Sequence, residues 1–193
     1  MKSPIYWHPK LYSIVIRIIE GKDFKRRYDR IKEEVKDFNV LDLGCADCYL
    51  SNLIKREKYY GIDINKKFIA YSKKKGIKAE VLDIRKNNIP PSECIILSNI
   101  LHQVYPHHEE ILKKCLKSSS KKVIIAEHLN HMASSKNHLI SYLARILNDP
   151  GYRTVRKRLD KEELFEIYKK FNVSKLEVFG NISIAVFNKS NSK

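Results

Sequence analysis

Three aspartates in the first half of the chain each end a short apolar segment. Asp42, Asp63 and Asp83 lie about 20 residues apart. Such spacing is typical of successive βα units, in which the carboxyl ends of parallel strands meet at one crevice. A carboxylate there can accept hydrogen bonds from the hydroxyl groups of a ribose or from the exocyclic amine of an adenine. The pattern therefore predicts a crevice that binds a nucleotide-like ligand.

The segment after the first of these aspartates reads Leu-Gly-Cys-Ala-Asp-Cys and predicts a tight turn. Gly44 allows a backbone conformation and a close ligand approach that a side chain would block. A helix predicted to start near Asp47 would direct its free backbone N–H groups towards an anionic group of the ligand. A dinucleotide dehydrogenase is the alternative for such a turn. Its G-x-G-x-x-G pattern is missing, because the next glycine after Gly44 is Gly61.

Two cysteines in this turn, Cys45 and Cys48, form a C-x-x-C pair, which raises the alternative of a zinc or redox site. The other two cysteines, Cys94 and Cys115, would have to complete a zinc site, and their spacing matches no common zinc pattern. We therefore predict that the pair supplies small buried side chains at glycine-like positions and that the protein has no metal site.

Two histidines follow the ends of later strands and are candidates for a general base, His102 as the first choice and His128 as the second. His102 closes the segment Ser-Asn-Ile-Leu-His after the predicted fourth strand, and His128 ends the fifth. Because an imidazole gains and loses its proton near neutral pH, either histidine could accept a proton from a reacting group. Each could instead be a polar residue of the crevice without a catalytic role, and both interpretations stay open.

The periodicity of apolar residues predicts alternating strands and helices through most of the chain. Strands are expected at 39–43, 58–63, 78–82, 94–98 and 122–127, and helices at 48–56, 66–75 and 107–117. Asp160 and Glu163 form a capping box for a helix over 161–171. Two last strands, 173–179 and 182–187, flank a Gly-Asn hairpin turn. We predict an α/β fold: a three-layer, doubly wound, mostly parallel seven-stranded sheet with an antiparallel C-terminal hairpin and helices on both faces.

The whole chain, residues 1–193, is expected to form a single domain. Helices at 9–20 and 23–36 would make residues 1–36 a helical cap across the crevice. Residues 37–127 would form the ligand-binding half of the domain. Residues 128–188, with a helix over 139–147, would form an insertion on the substrate side and the closing hairpin, and residues 189–193 a frayed tail.

The composition indicates a strongly basic protein, with a formal net charge of +16 and basic clusters at 72–75, 121–122 and 153–158. Such a charge favours contact with polyanions or with anionic lipid surfaces, although it is also compatible with a merely solvated surface. No apolar run approaches the roughly 18 residues of a transmembrane helix. The N-terminus lacks the apolar core of a signal peptide, so we expect a cytoplasmic protein without a transmembrane segment.

The order of elements and the strand-end residues resemble the class I S-adenosylmethionine-dependent methyltransferases over residues 37–188. In that family an acidic residue ends the first strand and glycines follow at alternate positions. Here the acid and the first glycine are present, and Ala46 and Cys48 stand at the second and third glycine positions. The resemblance implies S-adenosylmethionine as cofactor. It also implies that the cofactor is bound by Asp42, Gly44, Cys45, Ala46, Asp63, Ile64, Asp83, Ile84, Asn99 and Ile100.

The stretch from Asn99 to His102 resembles the small-molecule and lipid or quinone branch of that family. The Asn-Pro-Pro-Tyr motif of many base-modifying amino-group methylases is missing, as is the Pro-Cys pair of cytosine-C5 enzymes. This resemblance implies methyl transfer to an O, N or C nucleophile of a small or lipid-like acceptor, contacted by Tyr12, Tyr28 and His102. Two alternatives remain: an RNA methyltransferase that uses the basic surface, and a non-catalytic protein with the same fold.

Overall fold

The computed structural model describes residue 6 and residues 8–129 and 159–189. The predicted helix at 139–147, the basic cluster at 153–158 and most of the predicted tail lie outside the described residues. Within the described part, no helix is both long enough and apolar enough to cross a membrane.

Seven strands form one sheet, as the sequence predicts. They are β1 (Val40–Leu43), β2 (Tyr59–Asp63), β3 (Ala79–Val81), β4 (Ser92–Ser98), β5 (Ser119–His128), β6 (Lys175–Phe179) and β7 (Ile182–Asn188). Their order in the sheet is β3-β2-β1-β4-β5-β7-β6. The first five strands are parallel, and β7 runs antiparallel to both β5 and β6. From β1 the chain adds β2 and β3 on one side, and then β4 and β5 on the other side. Such a change of side between two neighbouring parallel strands opens a crevice at their carboxyl ends.

Helices cover both faces of the sheet and complete the predicted three layers. They are α1 (Pro9–Glu20), α2 (Lys22–Val35), α3 (Lys66–Lys74), α4 (His108–Ser118) and α5 (Lys161–Lys170). One face of the sheet packs against α2 and α3, through Ile31, Val35 and Ile69. The other face packs against α4 and α5, through Ile111, Leu112, Leu164 and Ile167. Because both faces are buried at the centre of the sheet, β1 and β7 are apolar almost throughout, whereas the edge strand β6 is largely exposed.

The C-terminal elements follow their local sequence signals. Asp160 Oδ1 accepts a hydrogen bond from the backbone N–H of Glu163 at 2.8 Å. The Glu163 carboxylate accepts one from the backbone N–H of Asp160 at 3.0 Å, so the predicted capping box is confirmed. The predicted hairpin is confirmed as well, with Gly180 at a left-handed φ of +54° between β6 and β7.

The predicted α-helix at 48–56 is wrong. Two short 3-10 helices, Tyr49–Asn52 and Arg56–Lys58, take its place. The Ser51 hydroxyl donates to the carbonyl of Cys48 at 2.8 Å, and the Asn52 amide donates to the carbonyl of Tyr49 at 2.9 Å. Side chains that bond to carbonyls three residues back compete with the α-helical pattern, so the helix ends after one turn. The predicted anion-binding helix terminus near Asp47 is therefore wrong too.

Candidate active site

A cleft with about 1140 Å³ of empty space, including its open mouth, lies at the carboxyl ends of the first four strands. Small-molecule sites typically occupy such clefts. Every residue predicted from sequence to bind the cofactor lies in its wall: Asp42, Gly44, Cys45, Ala46, Asp63, Ile64, Asp83, Ile84, Asn99 and Ile100. Tyr12 and Tyr28, predicted to contact the acceptor, line the same cleft. The fold thus brings all these residues together, although they come from several separate segments.

The turn after β1 adopts the conformation that its glycine-like positions require. Gly44, Ala46 and Cys48 have φ of +69°, +47° and +56°, so left-handed backbone recurs at alternate residues. Ala46 and Cys48 therefore stand at positions that favour glycine. A Cβ at Gly44 would lie 2.6 Å from Cγ1 of Ile100, so that position excludes any side chain unless Ile100 moves.

The carboxylate of Asp63 is held by the turn that it faces. Its Oδ2 accepts from the backbone N–H of Ala46 at 2.9 Å, and its Oδ1 accepts from the backbone N–H of Asn65 at 2.7 Å. A carboxylate has about four lone-pair sites, so it can accept more hydrogen bonds than these two. Asp63 therefore links the end of β2 to the turn after β1 while lining the cleft.

Asp83 has a partner that the sequence analysis did not identify. Arg85 Nε and a terminal guanidinium nitrogen of Arg85 donate to the two oxygens of Asp83, each at 2.8 Å. These hydrogen bonds are the main reason why the pKa of Asp83 lies below its usual value. An amine bound at Asp83 would therefore share the carboxylate with Arg85.

Asp42 is the most deeply buried carboxylate in the cleft wall. The Tyr59 hydroxyl donates to its Oδ2 at 2.8 Å. Burial raises the pKa of Asp42 to about 7, and the nearby carboxylates of Asp63 and Asp47 act in the same direction against the opposing effect of Tyr59. Asp42 thus exchanges its proton near neutral pH.

This raised pKa predicts a pH-dependent loss of stability. An unfolded aspartate ionises near pH 3.9, so up to about pH 7 the folded state retains a proton that the unfolded state has lost. Raising the pH through this range should therefore lower the free energy of unfolding, by at most about 1.4 kcal/mol per pH unit. Urea unfolding gives the free energy of unfolding at several pH values between about 5 and 8. This free energy should fall less steeply with pH in Asp42→Asn, which keeps an acceptor for the Tyr59 hydroxyl, than in the wild type. Equal slopes in both proteins would contradict the assignment.

Four polar side chains from four segments form a cluster at the cleft. Arg27 of α2 pairs with Glu20 of α1 at 2.7 Å, and the two side chains are only 3% and 6% exposed. Nε2 of His128, at the end of β5, lies 3.2 Å from Glu20 Oε1 and 3.3 Å from Arg27. The Asn99 amide donates to the same Glu20 oxygen at 3.3 Å.

The charges in this cluster compensate one another. Burial by itself would raise the pKa of Glu20, but Arg27 and His128 outweigh it and lower that pKa. Within the described residues, Arg27 Nε, Asn99 Oδ1 and His128 Nδ1 have no hydrogen-bond partner although they are buried. Buried polar atoms are normally paired, so these atoms mark a place where water or a ligand would bind.

Sequence reasoning missed Glu20 and Arg27. The available signal was the apolar stripe of α2, where Phe24, Ile31 and Val35 are buried and Arg27 lies between them on the same side. A charged residue on a buried stripe needs a partner, and only the fold identifies Glu20 as that partner.

His102 and His128, the predicted general bases, both lie outside the cleft wall itself. His102 is in the 3-10 helix Leu101–Gln103, and its Nδ1 lies 2.9 Å from Glu127 Oε2. The other oxygen of the buried Glu127 accepts from the backbone N–H of Leu101 at 2.7 Å. His128 contacts Glu20, which does line the cleft. The catalytic roles of both histidines stay predictions.

Cys45 and Cys48 are buried with their sulfur atoms 3.3 Å apart. A Cβ at Gly61 would lie 2.8 Å from one sulfur and 2.9 Å from the other, so the two thiols pack over that glycine of β2. Among the described residues, no group of three or more His, Cys, Asp or Glu side chains has the arrangement of a metal site. The two thiols therefore pack against each other and against β2.

Residues of the helices before the sheet line part of the cleft. Tyr12, Ser13, Ile16 and Glu20 of α1 line it. Ser13 donates a hydrogen bond to the carboxylate of Asp47 in the turn after β1. The rings of Tyr6, Tyr12 and Phe68 pack together and join the start of the chain to α3.

The wall of the cleft is more acidic than the rest of the protein. Two guanidinium groups, Arg27 and Arg85, face five carboxylates: Glu20, Asp42, Asp47, Asp63 and Asp83. Glu20 is paired with Arg27 and Asp83 with Arg85, and the remaining carboxylates leave the wall with a net negative charge. A cleft of net negative charge concentrates cationic ligands. Although the whole chain carries +16, its cleft therefore favours a ligand with cationic groups.

Solved structures with the same fold align with nearly the whole chain. An S-adenosylmethionine-dependent methyltransferase of Thermotoga maritima, a possible histamine N-methyltransferase, is 10% identical, with 96% of this chain and 98% of that one covered and a TM-score of 0.69. One from Archaeoglobus fulgidus is 16% identical, covering 92% and 99%, with a TM-score of 0.65. The magnesium protoporphyrin IX methyltransferase of Synechocystis, with bound S-adenosylhomocysteine, is 14% identical, covering 90% and 92%, with a TM-score of 0.60.

No family model and no curated protein sequence matches the chain. The fold is thus recognised from the arrangement of its elements, because the identities to the solved structures are low. The structural alignments cover most of both chains. The chain has the fold of the class I S-adenosylmethionine-dependent methyltransferases.

Proposed function

We propose that the protein is an S-adenosylmethionine-dependent methyltransferase that acts on a small or lipid-like acceptor. The observation that carries the proposal is the cleft, where ten residues predicted to bind the cofactor line one acidic wall at the strand ends. The similarity to methyltransferases that act on magnesium protoporphyrin IX and, possibly, histamine supports an acceptor of small-molecule size.

The residues of the cleft fit S-adenosylmethionine. This cofactor carries a sulfonium and an ammonium group, and cations are favoured by the excess of carboxylates in the wall. Asp63 would hold the ribose hydroxyls. Ile84 and Asp83 would bind the adenine edge, with Arg85 fixing the carboxylate of Asp83. Apolar side chains that suit the adenine faces also line the cleft: Ile64, Leu82 and Val104.

The bound cofactor would supply a methyl group on a positively charged sulfur. The work of the protein is then to place the acceptor atom in line with that methyl group and to exclude water. The cap helices are suited to both tasks, since Tyr12 and Tyr28 line the cleft and Ser13 ties α1 to the turn after β1. An O, N or C nucleophile could be positioned in this way.

His128 is our first choice for the group that removes a proton from the acceptor. Its Nε2 lies 3.2 Å from Glu20, which lines the cleft beside Asn99. A proton released there would reach the imidazole through the Glu20 carboxylate. His102 is the second choice, because the buried Glu127 orients its ring in the manner of a carboxylate–histidine pair.

The two alternatives are less well supported. An RNA methyltransferase would agree with the net charge of +16, but the net negative charge of the cleft wall would repel a phosphate backbone. A non-catalytic protein would agree with the missing second and third glycines. However, Ala46 and Cys48 keep the left-handed backbone of the turn, which supports a functional cofactor site.

Labelling of cell extracts tests the acceptor class. Wild-type protein incubated with methyl-labelled S-adenosylmethionine should transfer label to the lipid or small-metabolite fraction and not to RNA. His128→Asn should slow the transfer about 100-fold or more if His128 is the general base, and His102→Asn should have a smaller effect. Label that enters only RNA, and that nuclease treatment removes, would refute the small-acceptor proposal.

A further inference from the structure

The outer face of α1 exposes an unusual amount of aliphatic surface. Leu11, Ile14 and Ile18 are 44%, 57% and 74% exposed. Their spacing of three and four residues places them in one stripe along the helix. The opposite face of α1 lines the cleft, through residues such as Ser13 and Ile16. The helix thus contacts the cleft on one side and presents a continuous apolar stripe on the other.

The exposed charges of α1 and of the start of α2 have a single sign. From residue 9 to residue 26, every exposed side chain is either one of the three aliphatic residues or a cation; the cations are Lys10, Arg17, Lys22, Lys25 and Arg26. The acidic residues of the same segment, Glu20 and Asp23, are at least partly buried. Helices with an apolar face and flanking basic residues bind in the plane of a membrane surface and prefer anionic lipids.

We propose that α1 docks this protein on an anionic lipid membrane, with Leu11, Ile14 and Ile18 inserted among the headgroups. A lipid surface would then cover the stripe. It would bury the aliphatic side chains and attract the exposed cations through its anionic headgroups. Because the inner face of α1 lines the cleft, docking brings the cleft next to the bilayer. Delivery of a lipid-like acceptor to the cleft rests on the proposed function; the docking itself does not.

Vesicle flotation tests the docking without cofactor or substrate. The full chain should bind vesicles of phosphatidylglycerol and phosphatidylcholine much more tightly than pure phosphatidylcholine vesicles. Ile14→Ser with Ile18→Ser keeps the charge and should weaken binding to the anionic vesicles about tenfold or more. The matched control is Leu176→Ser with Val178→Ser, since those residues of β6 are 40% and 47% exposed. This control should bind as the wild type does.

Two results would overturn the inference. Equal vesicle binding by the α1 variant and the wild type would show that charge alone attracts the protein to lipid. The stripe would instead join two copies of the chain if the wild type sedimented as a dimer, the α1 variant sedimented as a monomer, and the wild type did not float with vesicles. As a control for charge, the wild type and the variant with Ile14→Ser and Ile18→Ser should bind a single-stranded RNA equally well, because these substitutions leave the net charge unchanged. Failure of methyl transfer alongside normal flotation would count against the proposed function only.

Discussion

Arg27→Met is expected to destabilise the protein by about 3–5 kcal/mol, because it leaves the buried carboxylate of Glu20 without its guanidinium partner. Among the described residues, the Asn99 amide and the His128 imidazole would still contact that carboxylate. The ion pair joins α1 to α2 at 2.7 Å, and both side chains are almost fully buried. Methionine preserves most of the packing volume against Phe24 and Tyr28, whose rings the guanidinium now contacts. The effect should therefore come mainly from the unpaired charge. Urea unfolding at neutral pH measures it.

Two controls separate this effect from a general loss of packing. Glu20→Gln combined with Arg27→Met removes both charges and should restore much of the lost stability. Arg30→Met removes an exposed arginine one turn further along α2, which pairs with Glu33 and Glu177. That variant should unfold almost like the wild type. An equal loss for the single and double variants would contradict the role of the buried charge.

Asp63→Ala is expected to weaken the binding of S-adenosylhomocysteine by about 1.5–3 kcal/mol, or roughly tenfold to a hundredfold. The carboxylate is the proposed acceptor for the ribose hydroxyls, and it also holds the backbone of Ala46 in the turn after β1. Its removal would therefore cost a direct contact and loosen the turn. Calorimetric titration of the folded variant and the wild type measures the difference.

A distant carboxylate provides the control for this titration. Asp37 is exposed and pairs with Lys55, so Asp37→Ala should bind S-adenosylhomocysteine as the wild type does. Asp63→Asn, which retains one acceptor oxygen, should lie between the wild type and Asp63→Ala. A wild-type protein that binds neither S-adenosylmethionine nor S-adenosylhomocysteine would refute the proposed cofactor.

The acidic cleft changes how the net charge of the chain is interpreted. From composition alone, +16 suggests a polyanion as partner. The fold gathers five carboxylates at the cleft and leaves the cations of α1 and the start of α2 exposed. The charge is therefore divided between an acidic site that suits a cationic cofactor and a basic outer surface that suits an anionic membrane.

Local signals in the sequence were sufficient for most of the architecture. Strands buried on both faces are nearly continuous apolar runs, so β1, β2 and β4 were recognisable within a few residues. The capping box at Asp160 and the hairpin at Gly180 involve only neighbouring residues, and both are confirmed. The prediction of an α-helix at 48–56 is wrong because the side chains of Ser51 and Asn52 donate hydrogen bonds to nearby carbonyls. The periodicity of apolar residues does not reveal such bonds.

Sequence alone therefore determined the strand-end positions of the candidate site, because in a parallel sheet the chain direction already places the carboxyl end of each strand at one edge. Only the tertiary structure decided which side chains meet there. Ile100 covers Gly44, Arg27 neutralises Glu20, and His128 reaches that same carboxylate from the end of β5. These contacts join residues far apart in the chain, and they arise from packing and from the need of buried charges for partners. Neither cause leaves a periodic pattern in the sequence.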